Sequence, residues 1–286
     1  VPENSLSATD TFVSFLLSIQ NVEPITVLSV LMLTWARLVP IVALAPFLGA
    51  KNISRTVRVM FGLSLAMLFL PYNLLVIHTN ILFDDRFIGL MLKEVCIGAF
   101  LGFIAAAPFF IAQTTGSLID HSRGSSALQV TDPTTQSQTG PVGLLYNFVL
   151  IALFYSLNGP FLFFNAIASS YQLLPIDGII SAAFFTARVS FWQEIMALGQ
   201  KIMNLAIQIA APALIGMLLT DLFLGIANRL APQVQVVFLG IPLKSWVGIA
   251  LMTAAWTLTL QVLGKESLTW IKAINQTIYQ ASQANA

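Results

Sequence analysis

Six predominantly apolar stretches follow one another along the chain, at about 25–48, 57–79, 87–112, 142–168, 202–228 and 234–263. A helix needs about 20 such residues to cross a bilayer, so each stretch predicts a membrane-spanning helix. Between the fourth and the fifth, residues 181–200 (SAAFFTARVSFWQEIMALGQ) mix apolar and polar positions and predict an amphipathic helix. One segment departs from this pattern. Residues 113–141 contain GSLIDHSRGSSALQVTDPTTQSQTGP, mostly Gly, Ser, Thr, Gln and Asp, between two nearly pure hydrocarbon runs.

The spans are not clean. Pro40 and Pro46 interrupt the first, Pro71 the second, Pro108 the third, Gly159-Pro160 the fourth, Pro212 the fifth and Pro242 the sixth. A broken helix in lipid frees backbone groups that only protein or water can satisfy. Charges also lie inside apolar runs, among them Arg37, Lys93, Glu94 and Asp221. Each costs about 2.5–3.5 kcal/mol at a helix centre on insertion scales. Both features predict helices that face other protein for much of their length, or charges that pair or snorkel to the interface.

Composition agrees with this reading. Of 286 residues, 57% are hydrophobic and 9% charged, against about 25% charged in soluble domains. The net charge of +1 and the sparse Lys51, Arg55, Arg58 group give no basic surface for nucleic acid. Cys96 is the single cysteine and His78 and His121 are the two histidines, so no disulfide framework and no His/Cys metal site is expected. The first apolar run exceeds the 7–15 residues of a signal h-region and has an acidic flank (Glu3, Asp10, Glu23), so it does not predict a secretory signal peptide.

Loop charge predicts the topology. The acidic N-terminus goes outside, Lys51–Arg58 inside, and the 113–141 insert and the NRLAPQ turn to the cytoplasmic side. The C-terminus then falls outside despite Lys265 and Lys272. That conflict is expected if the last two apolar stretches form a hairpin that does not span in the ordinary way.

No catalytic set emerges. Ser117, Asp120 and His121 carry triad letters, but their spacing on one short turn is not triad geometry. P-loop, H-E-x-x-H and G-x-S-x-G patterns are absent. The polar insert is more informative. Gly116, Gly124 and Gly140 permit close backbone approach or positive φ, and Asp132-Pro133 is a turn signal. Long loops of this kind are functional or are solvated connectors, and the residues alone leave both open.

GSLIDHSRGSSALQVTDP, LYNFVLIALFYSLNGP, YQLLPI and LGIANRLAPQVQVVFLGIPLKSWVGI together resemble the SctT/FliR family over roughly residues 28–265. This family supplies an export-gate subunit of type III secretion systems and of the flagellar export apparatus. The G-x-x-I-x-x-x-x-G…DP and NR-x-APQ…G-x-P blocks carry the resemblance, and LIDHSRG is closer to the injectisome branch than to the flagellar one. The resemblance implies an all-α membrane protein of about six broken helices plus an amphipathic helix, arranged as helical hairpins in a hetero-oligomeric export gate. It implies an acidic segment 1–24, an SctR/FliP-like part 25–180, an SctS/FliQ-like hairpin part 181–263 and a polar tail 264–286. It implies no enzyme activity and no cofactor. The implied partners are SctR/FliP-, SctS/FliQ- and SctU/FlhB-like subunits, needle or rod components, and unfolded substrates in transit, in the basal body at the bacterial inner membrane. Gly116, Asp120, Arg123, Gly124, Asp132 and Pro133 then belong to a plug loop at 113–141. Asn228, Arg229, Pro232 and Gln233 form a hairpin tip that contacts a partner. Two other readings stay open: a secondary transporter using Lys93, Glu94 and Asp221, and a membrane scaffold without a conduit.

Overall fold

The computed structural model describes residues 23–49, 53–77, 80–124, 140–178, 190–230 and 236–285. Eight α-helices occur among them: α1 Pro24–Leu44, α2 Arg55–Val76, α3 Asp85–Ser122, α4 Pro141–Ser156, α5 Gly159–Leu173, α6 Ser190–Leu230, α7 Val236–Ala254 and α8 Trp256–Asn285. No strand occurs among the described residues. Four helices are long and apolar enough to cross a membrane, or up to six spans if the bent pairs α4–α5 and α7–α8 each count as one.

The prolines expected to break helices mostly do not. Pro40, Pro71, Pro108, Pro212 and Pro242 lie inside α1, α2, α3, α6 and α7. A proline there removes one i→i−4 bond, which a membrane helix tolerates where neighbouring protein, Ser/Thr side chains or water satisfy the freed group. Two expected breaks do occur, at Pro46 and at Gly159-Pro160, and a third lies where no proline stands. After α1, Pro46–Leu48 forms a 3-10 turn that ends on Gly49 at φ 77°. Between α4 and α5 the chain bends by 75° at Asn158, whose φ is 58°, where Gly159 and Pro160 start the next helix. The predicted span 234–263 bends by 60° between α7 and α8, beside Ala255 rather than at Pro242.

Three further expectations are corrected. Residues 113–122, read as loop, are the last turns of α3, with Thr115, Gly116, Ile119 and Asp120 buried. At 1.5 Å per residue, this helix of 38 residues is about 57 Å long, so it carries apolar packing well past one bilayer core. The amphipathic segment 181–200 is not a separate helix where it is described, because residues 190–200 continue into the 41-residue α6. The polar tail 264–286 is, through Asn285, the second half of α8. It buries Trp270, Ile271 and Ile274.

α3 is the central post and the most buried of the candidate spans. It packs against α1, α4, α6 and α8, while α2 lies on α1, α7 on α6 and α8 on α5. Phe47 from the 3-10 turn stacks among Phe109, Phe154 and Phe163, with ring centroids 4.7–5.8 Å away. By contrast α6 is the least buried span, with Leu218, Leu219, Leu222, Phe223 and Leu230 exposed.

Candidate functional site

The first polar cluster is the set of charges read as intramembrane. Glu94 follows Lys93 on α3, and Gly98 and Gly102 lie one and two turns further along the same face. A Cβ on Gly98 would collide with the carbonyl oxygen of Arg37, and one on Gly102 would meet Pro40 and Ile41 at 3.1 Å. Small residues four apart let backbones approach, so α1 comes close enough for a bidentate pair. Arg37 donates from Nε and from Nη2 (3.0 Å) to the two Glu94 oxygens, from Nη1 to Ser170 Oγ (3.1 Å) and from Nη2 to the Leu174 carbonyl (2.9 Å). Its guanidinium sits 4.2 Å above the Tyr171 ring.

Lys93 continues the cluster. Its Nζ lies 2.8 Å from Glu94 Oε1 and donates to the carbonyls of Pro175 (2.8 Å), Ile176 (3.0 Å) and Gly178 (2.9 Å). Arg86 donates to the carbonyl of Asp177 (3.0 Å), itself buried. Arg37 and Glu94 are fully buried and Lys93 is 8% exposed. Of the expected ways to relieve these charges, pairing is the one seen for Arg37, Lys93 and Glu94, and this chain's own α1, α3, α5 and the 174–178 segment surround them. Their partners are largely main-chain carbonyls. The cluster holds the chain that follows α5, and among the described residues no group of three or more His, Cys, Asp or Glu could hold a metal ion.

Asp221 is elsewhere. It pairs with Lys244 across α6 and α7, and both side chains keep partial exposure. The partner of Asp221 is thus on α7, whereas those of Lys93 and Glu94 are on α1, on α3 and in the 174–178 segment. Gly216 packs on Leu251 and Gly240 on Leu224 in the same hairpin. Asn228 and Arg229 are exposed in the last turn of α6, with Arg229 where the helix dipole favours a cation. Pro232 and Gln233 lie outside the described residues.

The second cluster is the root of the polar insert. Asp120 Oδ1 pairs with Arg123, and Oδ2 accepts the main-chain N–H of Val142 (2.9 Å) and Gly143 (3.3 Å). Asp120 thus faces the start of α4 and not a catalytic partner, so the triad letters Ser117, Asp120 and His121 form no triad here. Gly116 sets no bend; it lies within α3, where a Cβ would overlap Gly143. Gly124 does turn the chain, at φ 78°. Asp132 and Pro133 lie outside the described residues. Sequence reasoning missed Lys244, the carbonyls of 174–178, and the α4 amides that Asp120 caps. The Gly98-x-x-x-Gly102 spacing was the available signal for the α1–α3 crossing.

These features define a polytopic helical membrane protein whose buried polar groups position chain segments. The sequence matches the family described as Bacterial export proteins, family 1, over residues 28–269, and the chain belongs to that family, the SctT/FliR family. It is similar to Yop proteins translocation protein T of Yersinia pestis, 34% identical over 162 residues, covering 56% of this chain and 60% of that protein. It is 35% identical over 162 residues to secretion system apparatus protein SsaT of Salmonella typhimurium, covering 57% and 61%. It is 28% identical over 224 residues to flagellar biosynthetic protein FliR of Bacillus subtilis, covering 76% and 82%. The match thus spans about 60% of the length of the first two relatives. The higher identities favour the injectisome branch, and none of the three names is an enzyme's. Family and apolar helices together make this a multi-pass protein of the bacterial inner membrane, in the secretion basal body.

Proposed function

We propose that this chain is a core subunit of a type III secretion export gate. It forms part of the protein-conducting pore and its plug, for export of unfolded substrates across the bacterial inner membrane, and performs no bond chemistry. Its partners on this reading are SctR/FliP-like and SctS/FliQ-like subunits, an SctU/FlhB-like subunit and needle or rod components. The exposed apolar faces of α6 and α2 meet those subunits or lipid. The α6–α7 turn with Asn228, Arg229, Pro232 and Gln233 contacts the SctS- or SctU-like neighbour.

One observation carries the plug assignment. In a chain of apolar helices, the described residues on either side of the polar segment 125–139 meet at one buried point, where Asp120 reaches the α4 amides. The segment's Gly, Ser and Thr residues suit a weak, water-compatible fit that a passing chain can displace. Deleting residues 125–138 is expected to leave the complex assembled but leaky to ions and small solutes. Conductance of the reconstituted complex is the test, and an unchanged, tightly closed pore would remove the plug assignment.

A further inference from the structure

We propose that Asp120 and Arg123 form a staple that fixes where residues 125–139 leave and rejoin the helices, and that Gly248 on α7 is its seat. The inference rests on the reading of that segment given above and assigns the residues that position it.

The first four N–H groups of a helix have no partner within it, and a nearby side chain usually supplies one. The residue before α4 is Gly140, which has no side chain to do so. The carboxylate that caps α4 comes instead from Asp120, near the end of α3, 22 residues before Val142. Capping α4 and joining the two ends of the polar segment are therefore one event. The negative charge also lies where the α4 dipole favours it. Gly140 fits flush against the carboxylate, since a Cβ there would overlap it, and Gly116 against Gly143 brings the two helices together just below.

The second half of the staple reaches further. Arg123 is 7% exposed although it is charged and borders a polar segment. One end of its guanidinium pairs with Asp120, while its Nε is buried without a hydrogen-bond partner among the described residues. Its stem lies on α7 and beside α6: a Cβ on Gly248 would stand 3.0 Å from Arg123 Cδ and 3.1 Å from Met217 Sδ. A shift of α7 against α3 therefore has to move Arg123, and Arg123 shares its partner with the start of α4. The root of the polar segment is thereby coupled to the α6–α7 hairpin through a contact that includes no residue of the segment itself.

The test uses the assembly purified with its membrane partners, with Cys96→Ser as background. Spin labels at positions 121 and 144, both exposed, report the spacing of the two roots by pulsed electron paramagnetic resonance. The parent should give one narrow distance. Asp120→Ala should broaden and lengthen it, Asp120→Asn less so, because the amide oxygen still accepts from α4 while the ion pair is lost. Gly248→Val should broaden it as well, and the double variant should be no broader than Asp120→Ala alone. An unchanged distance in Asp120→Ala overturns the staple. Should that variant fail to assemble, Gly248→Val carries the same readouts with the carboxylate in place. Conductance separates the two ideas. If the 125–138 deletion leaks and Asp120→Ala leaks with the segment present, the staple positions it. If the deletion leaks while Asp120→Ala stays tight, the positioning role is overturned and the plug assignment stands. If the deletion stays tight, the plug assignment fails, and the distance measurement alone decides the staple.

Discussion

Arg37 and Glu94, 57 residues apart in sequence, form a bidentate pair with no solvent exposure at the crossing of α1 and α3. Removing one partner of a buried pair leaves an uncompensated charge and costs about 3–5 kcal/mol. Glu94→Ala strands both Arg37 and Lys93, so it should lower the thermal stability of the purified assembly more than Lys93→Met does. Equal melting temperatures for the two variants would contradict the central place given to Glu94.

The α1–α3 crossing should discriminate between two glycines. A methyl at Gly98 meets the Arg37 backbone, whereas one at Gly102 meets its neighbours at 3.1–3.2 Å. Overpacking typically costs about 1–3 kcal/mol; both glycines face backbone, but the overlap is severe only at Gly98, where a Cβ would collide with the Arg37 carbonyl oxygen. Gly98→Ala should therefore reduce accumulation of the folded chain strongly and Gly102→Ala mildly. The comparison is read by protease resistance of the membrane-inserted protein.

Trp270 is 1% exposed on the part of α8 read from sequence as a polar tail, and Lys201 lies 5.4 Å above its ring. Large-to-small changes at such aromatic positions cost about 3–5 kcal/mol. Trp270→Ala, or truncation after residue 263, should destabilise the assembly in a detergent melt. A tail would tolerate both.

Asp221 and Lys244 pair across α6 and α7 with partial exposure. An exposed pair contributes about 0–1 kcal/mol, so Lys244→Met should have a small effect on assembly yield. The exchanged pair, Asp221→Lys with Lys244→Asp, should restore the yield lost by either single change. Failure of that rescue would show that the ion pair does not hold the hairpin.

What the sequence made legible follows from the physics of each residue. A charge inside a hydrocarbon run is conspicuous, so Arg37, Lys93 and Glu94 stood out. Their partners at Leu174, Pro175, Ile176 and Gly178 did not, because main-chain carbonyls carry no sequence signal. Asp120 and Arg123 were readable as a helical pair three apart, but on an exposed helix. The contact to Val142 and Gly143 requires two helices to cross, which Gly116 and Gly143 permit and local pattern does not show. Prolines were over-read as breaks. The bend at Ala255 has no proline to announce it. In α8, Leu263, Ser267, Trp270, Ile271 and Ile274 repeat at helical spacing, a stripe masked by the polar residues between them.

The central claim is that this chain borders the path of an exported polypeptide. It is tested most directly by photo-crosslinking in cells that carry a substrate stalled by a folded C-terminal fusion. Benzophenone probes placed singly through residues 125–138 should give adducts with the substrate only when it is stalled. A probe at the exposed Leu68 of α2 should give none. Absence of substrate adducts from every position in 125–138, with the stalled substrate present in the assembly, would contradict the claim.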